Sequence, residues 1–463
     1  MLQPPRPHRG WQSYDAVDWA PVCPQPVRFV GATKNAPHMD EDCLYLNVYT
    51  PTVDSGQAQK FPVMFYIHGG QFEHGSGNEF PGQQLAANGQ VVVVTINYRL
   101  GALGFLSTGD HHAPGNYGLL DQAMALKWTY DNIIAFQGDR ERITVFGPGA
   151  GAASGSLLAI MPRAKSMVRR VIAISGSPLA DWAAIDDKFR AMNTSRVYGE
   201  RIGCTIDNSW KLVDCIRRGR SFAELTNVEF KPEIGTWPWA PVVQKNISVP
   251  EDEWYEEWTS DDFIALPELV SVAYENQHYN PKLQYLTGVA RDDAAYMIHD
   301  NKTLAPNYNV GWPFFDMMVR DHIMQYNYTL NPEGIFGAIK YMYTYYPDPN
   351  NKSHIREEFI NVSTFREAQV RFLLRHLTDK CGNFVDICER NNRDTKDTSL
   401  GSEQRRLQNH LLRTKPRVLG HIFHFCTLGT LEIHSVLILY NYLDEKTFFK
   451  NIFFDRDMII ITC

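Results

Sequence analysis

Short apolar runs alternate with polar, helix-forming stretches along the first part of the chain. Four runs rich in β-branched residues occupy positions 61–67, 91–97, 142–146 and 170–175. Glycine turns and segments of helical character, such as 121–134, separate them. Buried strands that alternate with helices are typical of a parallel sheet with helices on both faces. The pattern therefore predicts an α/β fold with a doubly wound, mostly parallel central sheet.

One junction between a predicted strand and a predicted helix carries an incomplete catalytic motif. The pentapeptide Gly-Pro-Gly-Ala-Gly at 147–151 follows the apolar run at 142–146 and opens a stretch of small residues. Strand, tight turn and helix form the setting of the G-x-S-x-G nucleophile elbow of α/β-hydrolases. Glycine stands here in place of the serine. Because Gly149 has no hydroxyl, no acyl-enzyme can form at this position.

Four segments resemble the type-B carboxylesterase/cholinesterase family and follow in the family's order. They are 41–48 (EDCLYLNV), 66–72 (YIHGGQF), 97–106 with 115–122 (NYRLGALGFL, GNYGLLDQ), and the glycine-substituted elbow with 174–177 (ISGS). The set resembles the non-catalytic adhesion branch of that family, the neuroligins and gliotactin. The stretch from 177 to about 364 is most similar to insect gliotactin. The resemblance implies an α/β-hydrolase fold and a role in cell adhesion or junction formation.

The resemblance does not extend along the whole chain. It predicts a carboxylesterase-like domain over residues 1–365, incomplete at its N-terminus, and a divergent, poorly ordered region over 366–463. The sheet is therefore expected to be truncated at both ends. Residues 391–415 are polar and highly charged, and the apolar run at 418–439 is interrupted by three histidines and a glutamate, which makes it a poor membrane span.

The remaining members of a catalytic triad are degenerate. The family's triad glutamate corresponds to Asp293, for which an exposed loop acid beside Arg291 is the simpler interpretation. The family's late H-G-x-E histidine motif is absent from the chain. Ser154 and Ser156, on the helix after the elbow, are better interpreted as packing residues than as nucleophiles. We therefore expect no catalytic residues and no enzymatic activity.

The backbone donors of an oxyanion hole are partly retained. By resemblance they are the N–H groups of Gly70, Gln71 and Ala150, with Gln71 in place of the family's third glycine. His68, at the head of this loop, is interpreted as a structural hydrogen-bonding residue. Without a nucleophile, such a hole binds a ligand carbonyl or carboxylate weakly and does not turn it over.

The eight cysteines and six N-x-S/T sequons point to an oxidising, secretory route. The short spacing allows Cys23 to pair with Cys43 and Cys204 with Cys215, and the resemblance places the family's first two disulfides there. A Cys381–Cys388 pair remains open. No cysteines show the repeated spacing of a zinc site, so neither a metal nor a cofactor is expected. The sequons are at Asn193, Asn246, Asn301, Asn327, Asn351 and Asn361.

Charge and partners complete the sequence-based prediction. The net charge of −7 and the isoelectric point near 6.1 argue against a nucleic-acid surface. The resemblance implies protein partners on neighbouring cells or in the same junction, a homodimer, and membrane anchoring at the extracellular face of the plasma membrane. However, the chain shows neither a clear span nor a signal peptide at Met1–Pro5.

Two alternative functions remain open. The chain could be a carboxylic-ester hydrolase with an unconventional nucleophile, or a non-functional fragment of an adhesion protein. The acidic and aromatic segment 251–258 also has two interpretations: a surface loop with inward-packed rings, which we favour, or a partner-binding patch.

Overall fold

The computed structural model describes residues 2–368 and 458–462. Gaps lie at residues 11, 14, 31–35, 37, 53–59, 236, 246, 248–263, 291–292, 300–303, 305–306 and 326–330. All described residues belong to one compact unit, formed by residues 1–376 together with 453–463. The segment 251–258 and the apolar run 418–439 lie outside the described residues.

A seven-stranded sheet forms the centre of this unit. The strands are β1 (Leu46–Tyr49), β2 (Phe61–Ile67), β3 (Val92–Ile96), β4 (Gly138–Pro148), β5 (Arg170–Ile174), β6 (Gln284–Ala290) and β7 (Met458–Thr462). Their spatial order is β1-β3-β2-β4-β5-β6-β7. The strands β3, β2, β4, β5 and β6 run parallel, whereas β1 and β7 are antiparallel at the two edges. The predicted runs are therefore confirmed as four parallel neighbours.

Helices connect and cover the strands. The α-helices are α1 (Val27–Val30), α2 (Gly82–Gly89), α3 (Gly101–Phe105), α4 (Tyr117–Asn132), α5 (Ala150–Ile160), α6 (Lys188–Arg201), α7 (Ser209–Gly219), α8 (Phe222–Thr226), α9 (Val270–Glu275), α10 (Tyr296–His299), α11 (Trp312–Gln325), α12 (Pro332–Met342) and α13 (Lys352–Ala368). Short 3₁₀ helices occupy Gly77–Glu79, Ile133–Phe136 and Asp293–Ala295.

The central strands are apolar on both faces because helices cover both faces. All five residues of β3 are buried, and β2 buries five of its seven residues. Such continuous apolar runs are typical of parallel strands inside a sheet. The helix α5 is buried along its entire length. A Cβ at Gly155 would lie 3.0 Å from Cγ1 of Val145, so the small residues of α5 let it approach β4 closely.

The C-terminal region differs from the prediction in one respect. We expected the region after about residue 365 to be poorly ordered, yet α13 continues to Ala368 and β7 pairs with β6 in the register Leu286↔Thr462 to Ala290↔Met458. An antiparallel strand at an open edge satisfies backbone groups that β6 would otherwise expose. A five-residue apolar strand far from its neighbour in sequence gives no local signal of this pairing.

Candidate functional site

The backbone at Gly149 forms a sharp strand–turn–helix junction, as the elbow motif predicts. Gly149 lies between β4 and α5 with φ +51° and ψ −114°. Its N–H donates to the carbonyl of Ile174 (2.8 Å), and its own carbonyl accepts from the N–H of Ala153 (3.0 Å). A Cβ built on Gly149 meets no atom within 4 Å. The position is therefore open to a side chain, and its glycine is not imposed by lack of space.

Neighbouring glycines hold the elbow against the ends of two strands. A Cβ at Gly147 or at Gly151 would overlap the carbonyl oxygen of Ile67, at the end of β2. A Cβ at Gly176, just after β5, would overlap the carbonyl oxygen of Gly149. These contacts are between backbone atoms, which cannot swing aside. The glycines are therefore required for the tight turn.

The predicted oxyanion loop lies beside the elbow. A Cβ at Gly69 would come within 2.8 Å of the carbonyl oxygen of Pro148, and Gly70 and Gln71 both have positive φ, +95° and +58°. The carbonyl of Gly70 accepts from the N–H groups of Glu73 (2.9 Å) and His74 (3.0 Å). Ala150 is the buried first residue of α5.

Within the described part of the chain, the N–H groups of Gly70, Gln71 and Ala150 make no hydrogen bond. An oxyanion hole requires N–H donors that are free to bind a ligand oxygen. The assignment of these three donors to such a hole stays a prediction.

His68 is part of the core. Its ring stacks on Tyr98 with centroids 4.2 Å apart, and its Nδ1 lies 2.9 Å from the carbonyl oxygen of Gly69. The Tyr98 hydroxyl donates to the carbonyl of His68 (3.0 Å). Burial lowers the pKa of His68 from 6.5 to about 4. His68 is therefore neutral at physiological pH, which agrees with its interpretation as a structural residue.

Asp293 is placed differently from the exposed loop acid that we expected. It is half-buried, and it accepts a hydrogen bond from the hydroxyl of Ser175. Burial raises the pKa of Asp293, and this hydrogen bond partly opposes the shift. The helix α13 packs against the 3₁₀ helix that begins at Asp293 and withdraws this segment from solvent.

Ser175 is the site residue that sequence reasoning missed. It follows β5 directly, has φ +51°, and its N–H donates to the carbonyl of Gly288 (2.7 Å). Since Gly176 contacts Gly149, Ser175 connects the elbow with Asp293. Ser175 belongs to the Ile-Ser-Gly-Ser segment at 174–177, which carries part of the family resemblance. Nothing in that segment indicates that the Ser175 hydroxyl bonds to Asp293.

The two serines after the elbow are confirmed as packing residues. Both are fully buried. The Oγ of Ser154 accepts from Gln122 (3.1 Å), and the Oγ of Ser156 lies 2.6 Å from the Tyr285 hydroxyl. A buried, hydrogen-bonded hydroxyl inside α5 cannot reach a substrate.

The predicted disulfides form, and the sequons are only partly described. Cys23 is bonded to Cys43 and Cys204 to Cys215. The Cys381–Cys388 pair lies outside the described residues, as do the sequon asparagines Asn246, Asn301 and Asn327. The described sequon side chains are Asn193 on α6 and Asn351 at the start of α13, whereas Asn361 is described only as backbone of α13.

Within the described residues, neither the cavities nor any cluster of metal-binding side chains marks a ligand site at the elbow. The two best-defined cavities, about 10 and 140 Å³, have neither Gly149 nor Asp293 in their walls. In the described residues, no group of three His, Cys, Asp or Glu side chains could hold a metal ion. None of the helices described has the length and apolar character needed to cross a membrane.

Comparison with known proteins agrees with this geometry. A sequence profile of the carboxylesterase family matches residues 2–380, past the predicted boundary at 365. Mouse neuroligin-2 is 33% identical over 398 residues and mouse neuroligin-3 is 33% identical over 399 residues. Each match covers 78% of this chain and 45% of the relative, so the chain spans about half the length of these relatives. Human bile salt-activated lipase is 40% identical over 225 residues, which cover 47% of this chain and 29% of the lipase.

Proposed function

The chain belongs to the carboxylesterase family, and we propose that it is a catalytically inactive, cholinesterase-like domain that acts in cell adhesion through protein contacts outside the cell. The observation that carries the loss of catalysis is Gly149. The elbow, the neighbouring N–H groups and Asp293 are retained, but the atom that would attack an ester is missing. Loss of the nucleophile costs about 10⁶-fold in rate, which leaves no useful turnover.

The adhesion role is supported by the neuroligin relatives. We assign this chain to the adhesion branch and, within it, to a gliotactin-like role at cell junctions, on the resemblance of residues 177–364. Two disulfides agree with an oxidising, extracellular environment. The partners are proteins on neighbouring cells or in the same junction, and a homodimer and a membrane anchor are part of the same proposal.

Two measurements on the secreted protein test this proposal. Beads coated with the purified chain should adhere to epithelial cells more than albumin-coated beads do, and protease treatment of the cells should abolish the difference. The same protein should hydrolyse short-chain aryl esters no faster than its heat-denatured control. Adhesion equal to that of albumin-coated beads would contradict the adhesion role, and enzyme-dependent turnover would contradict the loss of catalysis.

A second candidate function is ester hydrolysis by an unconventional nucleophile. It is favoured by the 40% identity to bile salt-activated lipase and by the hydrogen bond from Ser175 to Asp293. Ser175 is the only serine discussed above that contacts a retained triad position. A fluorophosphonate probe, which labels activated serines covalently, separates the two functions. Labelling of Ser175 would support hydrolysis, whereas an unlabelled protein supports the inactive domain.

A further inference from the structure

A cavity of about 140 Å³ lies against the first half of α6, away from the elbow. It is lined by Asp187, Phe189, Arg190, Asn193, Thr194 and Ile234. One of these residues, Asn193, begins the sequon Asn-Thr-Ser, and its side chain is half-buried. The cavity therefore lies directly beside an asparagine that the sequence marks for N-glycosylation.

The polar wall of this cavity is fixed before anything binds. The Nε of Arg190 donates to the carbonyl of Ile234 (3.1 Å). Gly235 has φ +93°, a backbone conformation that favours glycine, and the Arg190 guanidinium lies where a Cβ of residue 235 would stand. The amide nitrogen of Asn193 donates to the carboxylate of Glu233. Both Arg190 and Asn193 are thus held against the loop 233–235.

The apolar wall is an exposed aromatic ring. The side chain of Phe189 is 64% exposed, although phenylalanine is usually buried. Phe189 precedes Asn193 by four residues on α6, so the two side chains lie on the same face, one turn apart. A pyranose ring presents a face of C–H groups, which packs on an aromatic ring as other apolar surfaces do.

We propose that Asn193 carries an N-linked glycan whose first sugar, an N-acetylhexosamine, sits in this cavity with its C–H face on Phe189 and polar groups near Arg190. In the modification, Nδ2 of Asn193 forms a bond to the anomeric carbon of a lipid-diphosphate-linked oligosaccharide. The bond from that carbon to the diphosphate breaks, the diphosphate leaves with the electron pair, and one amide proton is lost to the transferase. The remaining N–H continues to donate to Glu233. The proposal rests on the secretory location that is part of the proposed function.

Asn351 provides an internal comparison. Its amide nitrogen donates to Asp348 (3.2 Å), its carbonyl oxygen accepts from the N–H of Ser353 (3.0 Å), and it lines neither of the two cavities described above. Asn351 therefore differs from Asn193 in that no cavity adjoins it among the two described above. The comparison separates a glycan next to a cavity from a glycan on a surface without one.

The test combines glycopeptide mapping with native deglycosylation of the full chain secreted from animal cells. We expect Asn193 to be occupied, and its glycan to be removed by an amidase under native conditions about tenfold more slowly than the glycans at other occupied sequons, which corresponds to about 1.4 kcal/mol. Phe189→Ala should abolish most of this protection. Met192→Ala, which truncates an exposed apolar side chain of the same helix that is not part of the cavity wall, should leave the protection unchanged.

The outcomes separate this proposal from the proposed function. If no sequon carries a glycan, the secretory location fails and both proposals fall. If other sequons are occupied and Asn193 is not, only the Asn193 site is overturned. If Asn193 is occupied but its glycan is removed as fast as the others, or Phe189→Ala has no effect, the seat on Phe189 is overturned.

Discussion

Gly176 lies directly against Gly149, so close that a Cβ on Gly176 would overlap the carbonyl oxygen of Gly149. The contact joins the end of β5 to the elbow and places the adjacent Ser175, with its Asp293 partner, close to Gly149. A hydroxyl and a carboxylate therefore lie beside a glycine, which has no side chain that could attack an ester. The consequences of this arrangement can be measured at its individual residues.

Gly149→Ser should fold and should not hydrolyse esters. The new Cβ has open space, so the cost is the positive φ alone, about 1–3 kcal/mol. A serine without a histidine base remains a poor nucleophile, and the chain has no H-G-x-E motif. The measurements are the melting temperature and the rate of aryl-ester hydrolysis. In the control Gly176→Ala, the Cβ meets a fixed carbonyl, and this variant should lose more stability. Turnover by Gly149→Ser would show that another residue supplies the base.

Asp293→Asn should raise the stability at neutral pH. Since burial raises the folded-state pKa of Asp293, its contribution to stability is fully present below the unfolded-state pKa and is lost as pH rises through the folded-state value. An amide keeps an acceptor for Ser175 and removes the charge, so the expected gain is about 0.5–1 kcal/mol at pH 7. Urea denaturation at pH 7 measures this gain.

Asp121 supplies the matched control with the opposite sign. Its carboxylate is buried and pairs with Arg99, whose Nε lies 2.7 Å from Oδ2. Asp121→Asn leaves this guanidinium without its charge partner and should cost about 3–5 kcal/mol. A destabilised Asp293→Asn variant would indicate that the carboxylate at Asp293 makes a favourable charge interaction that the prediction omits.

Acid should destabilise the fold through His68. Its folded-state pKa of about 4 lies below the ordinary value of 6.5, so between these values the unfolded chain binds more protons than the folded chain. Stability is therefore retained above about pH 6.5 and falls as pH drops towards 4, by on the order of 3 kcal/mol. His68→Gln should show a flatter stability profile between pH 7 and pH 4 than the parent protein does. Parallel profiles for His68→Gln and the parent would refute this assignment.

Both disulfides should be present in secreted material and should stabilise it. Cys23–Cys43 spans 20 residues and Cys204–Cys215 spans 11. Replacing either pair with alanine should cost about 2–4 kcal/mol, chiefly because the unfolded chain gains freedom. Non-reducing peptide mapping and chemical denaturation give the two readouts. Free thiols at these four positions, or crossed pairs, would contradict the pairing and weaken the extracellular assignment.

The sequence by itself determined the central architecture and the state of the elbow. Alternation of β-branched runs with helical segments was sufficient for the four parallel strands, because burial on both faces requires such runs. The presence of glycine at position 149, where the motif has serine, is read directly from the sequence and does not depend on folding. The two cysteine pairs followed from short spacing and family resemblance, since local loops close with little dependence on the rest of the chain.

Only the tertiary structure decided the surroundings of that elbow. The hydrogen bond between Ser175 and Asp293, the withdrawal of Asp293 from solvent by α13 and the addition of β7 to β6 join residues that are far apart in sequence. The cavity beside Asn193 likewise depends on a loop forty residues away, which reaches the Asn193 amide through Glu233. Local patterns report which face of an element is buried. They do not report which distant backbone or side chain covers it, because that choice is made by packing of the whole unit.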